Sequence, residues 1–152
     1  MKKTINAYIA GPFSTPQEKE LLNKMIHIVR ENTNFELYVP MEHKVAGDYQ
    51  NPDGTWHLPN DVWAKAVFNS DIDAIDHSDF VIALYAGHRS TTGTAWEIGY
   101  AFAKNIPVIL YIPEEFKDSN FSLMIMNSAA GYIDETGAIH MTNDFTKLYN
   151  QK

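Results

Sequence analysis

Cysteine is absent from the 152 residues. That excludes disulfides, thiolate nucleophiles and cysteine-ligated zinc, and it suits a cytoplasmic protein. Basic residues are also scarce, with 12 Lys and Arg against 19 Asp and Glu for a formal charge of −7. A nucleic-acid polymer is therefore not an expected partner, because phosphate backbones recruit basic patches. A small anion remains open, since a few local donors can hold one phosphate. No apolar run is long enough to cross a membrane. The opening "MKKTINAYIAGPF" interrupts its apolar stretch with Gly-Pro too early for a signal peptide. The histidines at 27, 43, 57, 77, 88 and 140 show no His-x-x-x-His spacing, so no metal site is expected. "AGPFST" is not a dinucleotide fingerprint and "GHRSTTG" is not a phosphate-binding P-loop. No cofactor is expected either.

What is present suits one compact domain spanning 1–152, with 45% hydrophobic residues to build a core. Strand-like runs alternate with helix-like stretches. "INAYIA" (5–10), "FELYVP" (35–40), "DFVIALY" (79–85) and "PVILYI" (107–112) read as strands, with "GYIDE" and "AIHM" as short extended pieces. Residues 15–32 read as a helix: Thr15 can cap it, Pro16 suits its first turn and Glu18 completes a capping box. Leu21, Leu22, Met25, Ile26 and Val29 supply its apolar stripe. Further helices are expected over 58–78, 95–105, 122–131 and 142–152, and a long polar loop over 41–56. Apolar, non-alternating strands between helices indicate an α/β fold: a flavodoxin-like, doubly wound, parallel five-stranded sheet flanked by helices. Its ligand site should lie beyond the carboxyl ends of the strands, at the switch point. That rule gathers the loops "AGPFST" and "AGHRSTTGT" at one edge.

In "TTGTAWEIGYAFAKNIPVIL" a single acid, Glu97, stands among apolar and small residues. An acid in the first turn of a helix complements the macrodipole. The same acid, desolvated at the ligand edge, is a candidate nucleophile. Small neighbours such as Gly93 and Gly99 let a ligand approach closely. "FNSDIDAIDHSDF" offers a second acid. Asp73, Asp76 and Asp79 suit solvated or capping positions. Asp71 shares a helical face with Val67, Ala74 and Ile75 and can point inward. Tyr8 in the first strand is either core filler or a hydrogen-bond donor that orients a carboxylate.

"YIAGPF" (8–13), residues 60–85 and "GTAWEIGYAFAKNIPVIL" (93–110) together resemble the nucleoside 2-deoxyribosyltransferase family, in the same order and over most of the chain. The resemblance implies base exchange on 2′-deoxynucleosides by double displacement. Glu97 would be the nucleophile that forms a covalent deoxyribosyl-enzyme. Asp71 would be the acid that assists the departing base, and Tyr8 the residue that orients Glu97. Gly11, Phe13, Thr91, Gly93 and Ser122 would contact substrate. Two displacements retain configuration, as in retaining glycosidases with carboxylates roughly 5 Å apart. A fixed anion stabilises the oxocarbenium-like transition state. Expected partners are 2′-deoxynucleosides, free bases and further copies of the chain, in dimers or hexamers built from dimers. Residues 120–127 would complete a neighbour's site.

Two positions depart from the family pattern. Thr91 stands where many transferases carry aspartate, and Ser122 where they often carry asparagine. The related 2′-deoxynucleoside 5′-monophosphate N-glycosidases place hydroxyls at both, to hold a phosphate, and Arg89 lies close in sequence. Losing an acid there eases acceptance of phosphate. Hydrolysis of monophosphates is thus the alternative activity, and a flavodoxin-like nucleotide-binding module the non-enzymatic one. "LYNQK" lacks the aromatic ending of some transferases.

Overall fold

The computed structural model describes residues 2–43, 45, 61–87, 92–117 and 121–149. In chain order, β1 is Asn6–Ala10, α1 Pro16–Asn32, β2 Glu36–Tyr38 and α2 Val62–Asp76. Then follow β3 Phe80–Leu84, α3 Thr92–Ala103, β4 Val108–Tyr111 and α4 Leu123–Ser128. β5 Gly131–Ile133, β6 Ile139–His140 and α5 Thr146–Tyr149 complete the described elements.

The strands form one sheet in the order β2-β1-β3-β4-β5-β6. The first five run parallel, with the order of a flavodoxin-like doubly wound sheet. The sixth strand corrects the five-stranded expectation. β6 pairs antiparallel with β5, Tyr132 opposite His140. An Asp134-centred turn joins them, with Asp134 accepting from Thr136 and Ala138 amides. Desolvation pushes the Asp134 carboxyl up, but the Thr136 hydroxyl, the His140 ring and those two amides together outweigh it and hold the carboxyl down at about 2.

Alternation along the strands splits the interior in two. Ala7, Ile9, Ile82, Leu84, Ile109 and Tyr111 face α1, whose Leu22, Met25, Ile26 and Val29 are buried against them. Tyr8, Ala10, Val81, Ala83, Val108 and Leu110 face the other way, toward Ile75 of α2 and Ile98 and Ala101 of α3. Helices therefore cover both faces. The α1 capping box forms as the sequence predicts: Thr15 accepts from the Glu18 amide at 3.2 Å, and Glu18 accepts from the Thr15 amide at 3.1 Å. Among the described residues, no helix is long and apolar enough to cross a membrane.

Candidate active site

Three elements converge on Glu97. β1 presents Tyr8 on the α2–α3 face of the sheet, fully buried, and its hydroxyl donates to Glu97 Oε2. α2 brings Asp71 from the opposite side of a cleft of about 320 Å³, lined by Phe68, Asp71, Ile72, Ile75, Gly93, Trp96 and Glu97. Most of that lining is apolar, and Asp71 and Glu97 are its two carboxylates. The sequence reading puts Glu97 in the first turn of its helix. In the structure α3 already begins at Thr92, so Glu97 sits in the second turn and no acid occupies the first. The macrodipole explanation of Glu97 loses its basis, because that interaction fades within the first turn.

The electrostatics follow from this enclosure. Burial, reinforced by the nearby Asp71 charge and partly offset by the Tyr8 hydrogen bond, raises Glu97 to about 7. Burial raises Asp71 to about 6, while a hydrogen bond from Tyr38 pulls the other way. Tyr8 is pushed far upward by burial and by Glu97, so it stays a phenol and a donor. Two carboxyls that titrate near neutrality in one cleft are suited to divide the roles of anion and acid.

The other acids of α2 and its end are engaged elsewhere. Asp73 lies near His77 at 3.5 Å, Asp76 accepts from the Tyr100 hydroxyl at 2.7 Å, and Asp79 accepts from the Asn6 amide at 2.9 Å. Gly93 lines the cleft. Gly11 does not. It lies where β1 passes α1, and a Cβ there would meet Leu22 Cδ1 at 2.6 Å. Phe13 packs against the α1-side core. Ser122 caps α4, accepting from the Ile125 amide at 3.4 Å, while its own amide donates to the Tyr85 hydroxyl at 3.0 Å. Thr91, Arg89 and the loop residues 46–56 lie outside the described residues. Sequence reasoning missed Phe68, Ile72 and Trp96 as cleft walls and Tyr38 as the neighbour of Asp71. For Tyr38 a signal existed, since strand alternation in "FELYVP" sends it to the same face as Tyr8. Among the described residues, no three His, Asp or Glu side chains cluster as metal ligands.

The family model for nucleoside 2-deoxyribosyltransferases matches residues 7–145. A nucleoside deoxyribosyltransferase of Lactobacillus leichmannii is 28% identical over 128 residues, which is 81% of this chain and 78% of that protein. In three dimensions, a 2-deoxyribosyltransferase of Bacillus psychrosaccharolyticus aligns over 97% of this chain and 92% of its own, with TM-score 0.70 and 21% identity. A CMP N-glycosidase of Clostridium botulinum aligns over 95% and 99%, with TM-score 0.53 and 21% identity. At such identities the two structures establish a shared fold. Sequence family and fold together define a pentosyltransferase built on a flavodoxin-like sheet. The chain belongs to the nucleoside 2-deoxyribosyltransferase family.

Proposed function

We propose that this enzyme exchanges the base of 2′-deoxynucleosides through a covalent intermediate on Glu97. The observation that carries the reading is the cleft that Glu97, fixed by Tyr8, shares with Asp71. In the first displacement a Glu97 carboxylate oxygen bonds to C1′ of the sugar. The C1′–N bond breaks, and its electron pair leaves with the base, which takes the proton of Asp71. In the second, a nitrogen of an incoming base bonds to C1′, its proton passes to Asp71, and Glu97 leaves as a carboxylate. The apolar walls exclude water and strengthen the attraction between Glu97 and the developing sugar cation. Gly93 leaves room for the sugar beside Glu97. Gly11 and Phe13 follow β1 at the carboxyl edge of the sheet, and we assign them to the rim.

Hydrolysis of nucleoside 5′-monophosphates is the second reading. It draws support from hydroxyl residues at Thr91 and Ser122 and from the fold shared with the CMP N-glycosidase. Water would then take the place of the second base. The chromatographic test supplies deoxyinosine or thymidine with free adenine, beside deoxynucleoside 5′-monophosphates. Deoxyadenosine should appear, and Glu97→Ala should slow its formation by about a thousandfold or more. Free base released from the monophosphates alone would replace transfer by hydrolysis. Intact turnover in Glu97→Ala would remove the covalent step.

A homo-oligomer belongs to the same proposal. Phe102, Leu123 and Met124 are exposed on α3 and α4, with Leu123 at 78% and Met124 at 80%. Apolar side chains so exposed on neighbouring helices suit a second copy of the chain.

A further inference from the structure

Tyr8 and Tyr38 stand opposite each other in the parallel pairing of β1 with β2. Both side chains consequently leave the same face of the sheet. Their rings stack, with centroids 5.6 Å apart and planes 11° apart. His43 stacks in turn on Tyr38, at 4.0 Å and 16°. On the other flank of Tyr8, β3 places Val81 in register, fully buried on the same face. The outer end of the row is anchored. His43 closes a 3₁₀ turn, Pro40–Glu42, its amide donating to the Pro40 carbonyl at 3.1 Å. Glu42 of that turn accepts from Arg30 of α1 at 2.9 Å. The row thus runs from an anchored turn, through the edge strand, to a ring whose hydroxyl donates to Glu97.

We propose that Tyr38, with His43 behind it, is a positioning residue that sets the tilt of the Tyr8 ring and so the aim of its hydroxyl at Glu97. The inference rests on the proposed role of Tyr8 in fixing the nucleophile. A phenol carries its O–H at the tip of a rigid ring, so ring tilt decides where the proton points. The χ2 torsion of tyrosine is broad, and intrinsic preference alone leaves that tilt loose. A flat neighbour against one face narrows it, because a tilted ring loses stacking contact. The stack acts through the ring faces. It leaves the Tyr8 hydroxyl free to donate and asks nothing of the Tyr38 hydroxyl. This separates it from core filling, which any apolar side chain of similar volume supplies. Glu97 must meet C1′ along one line, and small misplacements of a reacting group are costly.

Tyr38→Phe keeps the ring and both stacks. Tyr38→Leu and Tyr38→Met keep apolar volume on the edge strand and remove the flat face, and two such variants are used so that poor folding of one does not decide the outcome. The substrate is 7-methyl-2′-deoxyguanosine, with adenine as acceptor and the full-length protein as enzyme. When its C1′–N bond breaks, the electron pair cancels the charge of the ring and the base leaves neutral, so proton donation by Asp71 drops out of the rate. Tyr38→Phe, the conservative rescue, should keep close to the parent kcat. Tyr38→Leu and Tyr38→Met should lose about tenfold in kcat with KM nearly unchanged. In a Tyr8→Phe background, where no hydroxyl remains to aim, the same substitutions should cost nothing further. Parent-like kcat in the Leu and Met variants, an equal loss in Tyr38→Phe, or a loss undiminished in the Tyr8→Phe background overturns the inference and leaves the role of Tyr8 standing. A Tyr8→Phe or Glu97→Ala enzyme as fast as the parent removes the proposed role of that residue, and the inference with it.

Discussion

Glu97 meets two opposed demands. As the proposed nucleophile it must be ionised at C1′, yet its burial favours the proton and holds it at about 7. The folded protein therefore binds this proton more tightly than the unfolded chain does. Stability from this source is complete below the ordinary carboxylate range and is lost as pH rises through about 7. Glu97→Gln should accordingly be more stable than the parent at pH ~8, by about 1–3 kcal/mol, with the gain vanishing near pH ~4. Thermal or urea unfolding at both pH values checks this, and an equal gain at both would disprove the charge as its cause. The same pair shapes the rate. In the proposed mechanism the working state carries one proton, on Asp71. Because Glu97 is held at about 7 and Asp71 at about 6, the shared proton rests mainly on Glu97, and the working state is the minority form of the pair. With the pair titrating at about 6 and about 7, kcat/KM should peak between those values and fall on either side. A rate flat from pH ~5 to pH ~9 would rule that protonation state out.

At the scale of elements, packing fixes what short sequences cannot state. Gly131 in β5 faces the β6 backbone so closely that a Cβ would meet the His140 carbonyl oxygen at 2.3 Å. Backbone cannot swing aside as a side chain can. Gly131→Ala should cost about 1–3 kcal/mol in denaturant unfolding, and a neutral result would show that β6 can part from β5 freely. β6 itself has two residues, Ile139–His140. So short a piece can be read as extended, as "AIHM" is, but it has no periodicity to assign it to the sheet or to an antiparallel edge. α1 was legible almost to the residue because its signals are local: Thr15, Pro16 and Glu18 within one turn, then an apolar stripe. The start of α3 was not, because Thr92 and Gly93 have loop-like composition and no local helix-start signal marks the true first turn. Within the site, Glu97, Asp71 and Tyr8 stood out through family likeness and position. Tyr38 did not: alternation along its strand gives its face of the sheet, but no local pattern joins residues 38 and 71.

For the whole molecule, surface and charge set the behaviour. The exposed apolar side chains of α3 and α4 lie on the same side of the sheet as the cleft. If they seat another copy, Leu123→Asp with Met124→Asp should lower the mass measured by sedimentation or light scattering. Far-ultraviolet circular dichroism should stay unchanged, since both side chains lie outside the core. A parent chain that sediments as a monomer would remove the homo-oligomer from the proposal.

The stacked tyrosines give the alignment of two strands a chemical meaning. Were β2 to slide along β1 by a single residue, Tyr38 would turn to the α1 face and Leu37 would take its place. Such a molecule would keep its helices and most of its core, and it would still hold Glu97 through Tyr8. It would lose the ring stacked on Tyr8. Correct alignment of a three-residue edge strand thus becomes a condition for the ring stack behind Tyr8, and a misaligned molecule would be well folded by most measures yet hold Tyr8, and with it the proposed nucleophile, less firmly.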